Sequence, residues 1–367
     1  MKNRRCPRCQ KHYASPARYC TDDGTPLVEV SFTADSAPPP RTAGTGLRIS
    51  ATRARLSDAD RPAVGLADAE RYSSLSGTVL DGRYEIGQKI GEGGMSWVYR
   101  AVEQDTGRSL AIKVLPPRLI RDRDSADRLR REAEIATRFE HPNVCPILRL
   151  GETADGTLYL VMPFLAGETL GDYEGRVREV GVQEGIPILA QVCRGLQHAH
   201  DLGVIHRDLK PENVMLVPDG IGGESWRAVV MDFGLAKERK AGPEVARLTQ
   251  TGIVLGTPEF MSPEQIRGRV LDGRSDVYAM GILAFELFTG ELPFTGKNAQ
   301  EMMVARLRGL PRLLRSVRPG LPGRLEATIN RALALAPDDR YQSMEELAVA
   351  FESVLRVSVL ARLFGRR

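Results

Sequence analysis

Two short stretches hold most of the groups in this chain that could do chemistry. The first reads His206-Arg207-Asp208-Leu209-Lys210-Pro211-Glu212-Asn213. The second, Asp232-Phe233-Gly234, begins nineteen residues after Asn213. In fixed order they supply a carboxylate that could serve as a base, a lysine, a side-chain amide and a second carboxylate. Upstream lies Gly91-Glu92-Gly93-Gly94-Met95-Ser96-Trp97-Val98. Glycines between two strands let backbone N–H groups come close to phosphate oxygens. Leu110-Ala111-Ile112-Lys113-Val114 follows, and a lysine there can pair with phosphates if an acid holds it. Glu132, nineteen residues on, is a fitting partner. Each element is common by itself. The ordered set points to the handling of phosphate beside a base, chemistry that depends on positioning and charge neutralisation more than on covalent help.

These residues need elements to hold them. From Tyr84 the pattern RYEIGQKIGEG, then SWVYRAVEQ, alternates as strands do, with a glycine turn between, and SLAIKVL reads as a third strand. Ser125–Phe139 places apolar residues at helical spacing, so Glu132 sits on a helix. TLYLVMPF reads as another strand. Beyond Gly167 helical patterns dominate, over Ile186–Asp201, Ser275–Thr289, Ala299–Arg308, Leu325–Leu335 and Met344–Leu355. A strand-rich part followed by a helix-rich part predicts an α+β fold with a cleft between two lobes.

Bulk properties narrow the class. The 367 residues are 42% hydrophobic and 27% charged, as in a soluble globular protein. The net charge of +4, from 51 basic and 47 acidic residues, gives no ground for nucleic acid or an anionic membrane as the main partner. No apolar run reaches the ~20 residues of a membrane span, and no apolar segment follows the basic start, so a cytoplasmic location is expected. Cys145 and Cys193 stand alone in apolar surroundings and read as small buried side chains. His198 and His200 have no carboxylate or thiol beside them and read as packing or surface residues.

The ordered motifs match the protein-kinase signature set. Residues 84–354 resemble a eukaryotic-like (Hanks-type) Ser/Thr protein kinase of the bacterial kind. The resemblance implies the two-lobed protein kinase fold, with an N-lobe over 84–165 and a C-lobe over 166–354. It implies ATP and Mg²⁺ as cofactors, with Mn²⁺ as a substitute, and protein Ser/Thr hydroxyls as acceptors. ATP would be bound by Ile90, Gly91, Glu92, Gly93, Gly94, Ser96, Val98 and Ala111, with Ser96 where the family's third glycine usually stands. Lys113 would hold the α- and β-phosphates, fixed by Glu132. Met162 looks like the gatekeeper, and Pro163 to Leu165 like the adenine-facing hinge. Asp208 would accept the substrate proton, and Lys210 would touch the γ-phosphate. Asn213 and Asp232 would hold the metal. Ser262-Pro263-Glu264 resembles the family's A-P-E motif, with Glu264 paired to Arg340, and Asp276 resembles the aspartate that braces the catalytic loop.

Arg207 precedes Asp208, and kinases with that arginine are usually switched by a phosphate on the activation loop. Thr249 and Thr251 stand at the distance before GTPEFMSPEQ where bacterial relatives carry a Thr-x-Thr. Their autophosphorylation is expected, with a transient homodimer allowing transfer between two copies. A pseudokinase that binds nucleotide and partners without turnover is the competing reading.

Outside the kinase-like region, residues 1–28 read as a separate module. Cys6-Pro7-Arg8-Cys9 is a knuckle of two thiolates on a tight turn, as zinc ribbons use, and Cys20 follows. Asp23 and His12 are the rivals for a fourth ligand. The segment resembles short zinc-ribbon-like modules found ahead of some bacterial kinase domains, and that resemblance favours Asp23 and implies Zn²⁺. Residues 29–80, rich in Pro, Gly, Ser and Thr, read as a flexible linker. Residues 355–367 read as a basic C-terminal tail.

Overall fold

The computed structural model describes residues 3–5, 12–14, 28–30, 75–93, 96–115, 123–153, 157–177, 179–219, 225–233 and 258–364. The chain divides into two compact units, residues 1–49 and 50–367. The first holds three short strands, β1 (Asn3–Arg5), β2 (His12–Ala14) and β3 (Val28–Val30), in an antiparallel sheet of order β2-β1-β3. Glu29 and Val30, assigned to the linker by composition, instead continue a strand begun at Val28 and paired with β1.

The second unit opens with a six-stranded antiparallel sheet of order β4-β5-β6-β7-β9-β8. Its strands are β4 (Val79–Leu80), β5 (Tyr84–Gly93), β6 (Ser96–Glu103) and β7 (Ser109–Leu115), then, after helix α1 (Arg123–Ala136), β8 (Arg149–Glu152) and β9 (Leu158–Pro163). β4 pairs with β5, so the folded unit begins ahead of Tyr84. β6 alternates buried and exposed positions, the period-2 signature of a sheet with one covered face. A compact core of Tyr84, Ile86, Trp97, Tyr99, Ile112 and Val161 fills one side of this sheet. Two register shifts interrupt the β5–β6 ladder between Ile86 and Gly91, at the base of the glycine hairpin.

After Pro163 the chain enters a helical lobe. It carries β10 (Glu168–Thr169), α2 (Leu170–Val177) and α3 (Val182–Asp201), then the hairpin β11 (Val214–Asp219) and β12 (Ser225–Val230). Next come α4 (Pro263–Ile266), α5 (Gly273–Thr289), α6 (Ala299–Arg308), α7 (Leu314–Val317), α8 (Gly323–Ala332) and α9 (Met344–Phe364). α5 is apolar nearly all round and buried along its length from Ser275 to Phe288, so it forms the axis of the lobe. α9 runs to Phe364, past the expected start of a tail at residue 355.

Among the described residues, backbone hydrogen bonds tie the lobes together at two places. One is the segment after β9, where Phe164 N–H donates to Ser109 C=O (3.3 Å) and the Arg100 guanidinium lies 4.7 Å over the Phe164 ring. The other is the loop after α1. Val230 N–H donates to Asn143 C=O and Cys145 N–H to Val230 C=O, each at 2.9 Å. Val144 and Ile147 of this loop belong to the large apolar core, which takes in Leu115, Ala133, Leu158 and Leu160 of the first lobe together with the helical lobe.

Candidate active site

The turn between α3 and β11 carries the first motif. Its backbone is fixed by side chains from elsewhere. Asp276, on α5, accepts from His206 N–H (2.8 Å) and Arg207 N–H (2.9 Å) through its two oxygens. Asp276 is 1% exposed. Burial alone would raise its carboxyl, but the bond and charge of His200, 2.7 Å away, and the His206 N–H outweigh it, so it stays ionised below the ordinary range. His200 thus belongs to the brace, a role that its lone position in the sequence did not suggest. His206 Nδ1 accepts from Asp208 N–H (3.3 Å), so Nε2 carries the proton and donates to Met231 C=O (2.9 Å). Burial lowers the His206 pKa and keeps the ring neutral. Arg207 has a positive φ of 62°, a conformation rare for a side-chain-bearing residue. Asn213 Nδ2 donates to Asp208 C=O at 2.8 Å and lies 3.5 Å from its carboxylate. Lys210 Nζ stands 3.8 Å from Asp208 Oδ2.

The second motif follows β12. Phe233 packs 4.9 Å from Phe139 and 4.8 Å from His206, ring centre to ring centre. That wedge fixes its neighbour Asp232, another residue with positive φ, 56°. Lys113, from β7, reaches across the cleft to Asp232 Oδ1 at 2.8 Å. Burial pushes the Asp232 carboxyl up, but the Lys113 ammonium and its hydrogen bond outweigh this and hold it below the usual aspartate value. Glu132 Oε1, from α1, lies 3.7 Å from the Arg207 guanidinium. The expected Lys113–Glu132 pair is therefore replaced in this conformation. Asp232 takes Lys113, and Glu132 faces Arg207 instead.

The upper wall of the cleft is the β5–β6 hairpin, in register at Gly91↔Val98 and Gly93↔Ser96, with Ala111 and Met162 paired across β7 and β9. Ile90, Val98 and Met162 are half-buried, and Ala111 is buried. Pro163 is the last residue in the ladder, opposite Leu110, so the Leu165 N–H lies beyond it. Glu92 is paired to Lys89 at 2.7 Å. Gly94, Gly234, Thr249, Thr251, Cys6, Cys9, Cys20 and Asp23 lie outside the described residues, and of His12 only the backbone in β2 is described. Below the cleft, Arg340 is fully buried and clamps Glu264 through two bonds of 2.7 and 2.9 Å. Ser275 Oγ, another residue the sequence did not mark, donates to the same carboxylate at 2.7 Å. Cys145 and Cys193 are buried, and burial raises the Cys145 thiol to about 12. Among the described residues no group of three or more metal-ligating side chains occurs, and no helix is long and apolar enough to cross a membrane.

An antiparallel sheet closing over a helical lobe, with lysine, base, amide and carboxylate gathered in the cleft, defines a class: the two-lobed kinase fold. Comparison with known proteins is consistent throughout. The family model described as "Protein kinase domain" matches residues 84–350. The chain is 39% identical over 282 residues to serine/threonine-protein kinase pkn3 of Myxococcus xanthus, covering 76% of this chain and 51% of that protein. It is 38% identical over 272 residues to PknB of Mycobacterium tuberculosis, covering 73% and 42%. It thus spans about half, or less, of the length of these curated relatives. Among solved structures, the PknI kinase domain of Mycobacterium tuberculosis superposes with a TM-score of 0.60 at 29% identity, over 77% of this chain and all of that one. Rad53 in complex with AMP-PNP gives a TM-score of 0.60 at 25% identity, over 72% and 64%. The chain belongs to the protein kinase family, in its bacterial Hanks-type Ser/Thr branch.

Proposed function

We propose that this protein is an active Ser/Thr protein kinase, transferring the ATP γ-phosphate to protein hydroxyls with Mg²⁺. One observation carries the reading: the cleft brings Lys113 to Asp232 (2.8 Å), Lys210 to Asp208 (3.8 Å) and Asn213 to Asp208 (2.8 Å) within a single site. A pseudokinase would not need this full set.

The residues fit the groups the reaction requires. Asn213 commits its amide nitrogen to Asp208, which turns its oxygen the other way. With the Asp232 carboxylate it offers the hard oxygen donors that Mg²⁺ prefers. Metal-bound ATP supplies the phosphoryl group and part of the charge neutralisation. Asp208 accepts the hydroxyl proton, and Lys210 beside it steadies the anionic oxygens. Lys113, here on Asp232, would hold phosphate oxygens when ATP is bound, with Glu132 of α1 as its acidic partner. Gly91, Gly93 and Ser96 would cover the phosphates. Ala111, Val98 and Met162 bound the adenine slot, where Pro163 C=O and Leu165 N–H meet the base. Rad53 with AMP-PNP, of the same fold, supports the nucleotide reading.

Arg207 is the receiver for the activation-loop phosphate. Its Nε is buried with no hydrogen-bond partner, a donor for which a phosphate oxygen is a suitable acceptor. Incubating the protein with Mg·ATP and mapping phosphate by mass spectrometry tests activity and switch together. Phosphate should appear on Thr249 or Thr251, and on Ser and Thr of an added protein. Absence of any phosphoserine or phosphothreonine would favour the pseudokinase reading.

The N-terminal unit we read as a small Zn²⁺-holding docking module. The order of its strands supports this: Cys6 and Cys9 fall between β1 and β2, and Cys20 and Asp23 between β2 and β3. One zinc per chain is expected by native mass spectrometry, lost in Asp23→Ala and kept in His12→Ala. The reverse pattern would make His12 the fourth ligand.

A further inference from the structure

Gln265 closes the run Ser262-Pro263-Glu264-Gln265 and sits in the four-residue helix α4. Both ends of its side-chain amide are engaged. Oε1 accepts from Ser262 N–H at 2.8 Å, while Ser262 Oγ accepts from Gln265 N–H at 3.3 Å. This reciprocal capping box fixes the direction of the side chain. Nε2 is left aimed at the catalytic turn, where it donates to Arg207 C=O at 2.8 Å.

That carbonyl belongs to a residue with φ of 62°. An L-residue holds such a conformation only when its surroundings over-determine it. The neighbouring backbone groups are already assigned. Asp276 takes the N–H groups of His206 and Arg207, and Asn213 takes Asp208 C=O. Asp208 N–H goes to His206 Nδ1, and Gln265 is what meets Arg207 C=O. We propose that Gln265 is a positioning residue: it locks the Arg207–Asp208 peptide in its left-handed turn and so sets the direction of the Asp208 carboxylate. Through it the segment leading into α4 and the base move as one piece. The proposal rests on the reading of Asp208 as base.

Two variants separate positioning from capping. Gln265→Glu keeps the chain length and the oxygen that accepts from Ser262 N–H, but removes the donor to Arg207 C=O. Gln265→Met removes both. If Gln265 only caps α4, the first variant behaves as wild type and the second melts earlier. The positioning role predicts that both lose about tenfold in kcat, the factor that loss of one hydrogen bond represents. KM for ATP should hold in both, and the melting temperature in the Glu variant. Hydrogen exchange at the amides of Arg207 and Asp208 should quicken in both. Wild-type kcat and exchange in Gln265→Glu would overturn the proposal. A wild-type protein with no phosphotransfer would instead sink the kinase reading, and the exchange measurement would still decide the role of Gln265.

Discussion

Asp208→Asn should lower phosphotransfer by about a thousandfold, inside the range that a positioned general base contributes, while nucleotide still binds. The substitution is nearly isosteric, so the reasons are local. Asp208 C=O, which accepts from Asn213 Nδ2, is a backbone group and survives the change. The two bonds from Asp276 to the turn are also untouched. What disappears is the proton acceptor, together with a 3.8 Å pairing to Lys210. The adenine-side contacts proposed above lie on β5, β6, β7 and the hinge, away from the substitution, and Lys113 on β7 is untouched. ATP affinity measured by calorimetry should therefore match wild type, and phosphate on Thr249 and Thr251 should vanish from the variant alone. Turnover retained within tenfold would remove Asp208 as base.

Arg340→Ala should destabilise the helical lobe by roughly 3–5 kcal/mol. Arg340 has no exposed surface, and its guanidinium makes two bonds to Glu264 and three to the carbonyls of Ala334, Arg274 and Leu335. It also lies 4.8 Å over the Tyr278 ring. Truncation leaves Glu264, 7% exposed, as a buried charge without its cation, held by Ser275 and its own backbone N–H. Urea unfolding would measure the loss, and a value below about 1 kcal/mol would show the pair to be dispensable. The pH dependence follows in sign. Burial raises the Glu264 carboxyl, but the Arg340 bonds and charge and the Ser275 bond outweigh it, so its folded pKa lies below the unfolded one. The pair's stabilisation is therefore full above the ordinary glutamate range and is lost as pH falls through the lowered folded value. Arg340→Ala should flatten that acid limb.

Much of this was legible in the sequence wherever local chemistry decides structure. α6 has the bounds its pattern predicts because Asn298 caps one end, accepting from Glu301 N–H at 2.9 Å, and Gly309 closes the other at φ 72°. α3 begins at Val182, four residues before its predicted start. Pro187 looks like a helix breaker, yet burial of Ile186, Ile188 and Leu189 outweighs the single bond it removes. The motif residues were identifiable by order alone. Their partners were not. Lys113 has two acids within reach of its strand, and only the folded chain shows that Asp232 holds it while Glu132 faces Arg207. His200, Ser275 and Gln265 act through distant carboxylates and carbonyls, at separations of 76, 11 and 58 residues, which no short motif records.

The two attachments between the lobes have a mechanical consequence. One is the strand exit at Phe164; the other is the loop whose Asn143 and Cys145 are bonded to Val230. With the backbone tied at these two points, the side-chain links across the cleft, Lys113 to Asp232 and Glu132 to Arg207, are the ones that any change in the angle between the lobes would have to exchange.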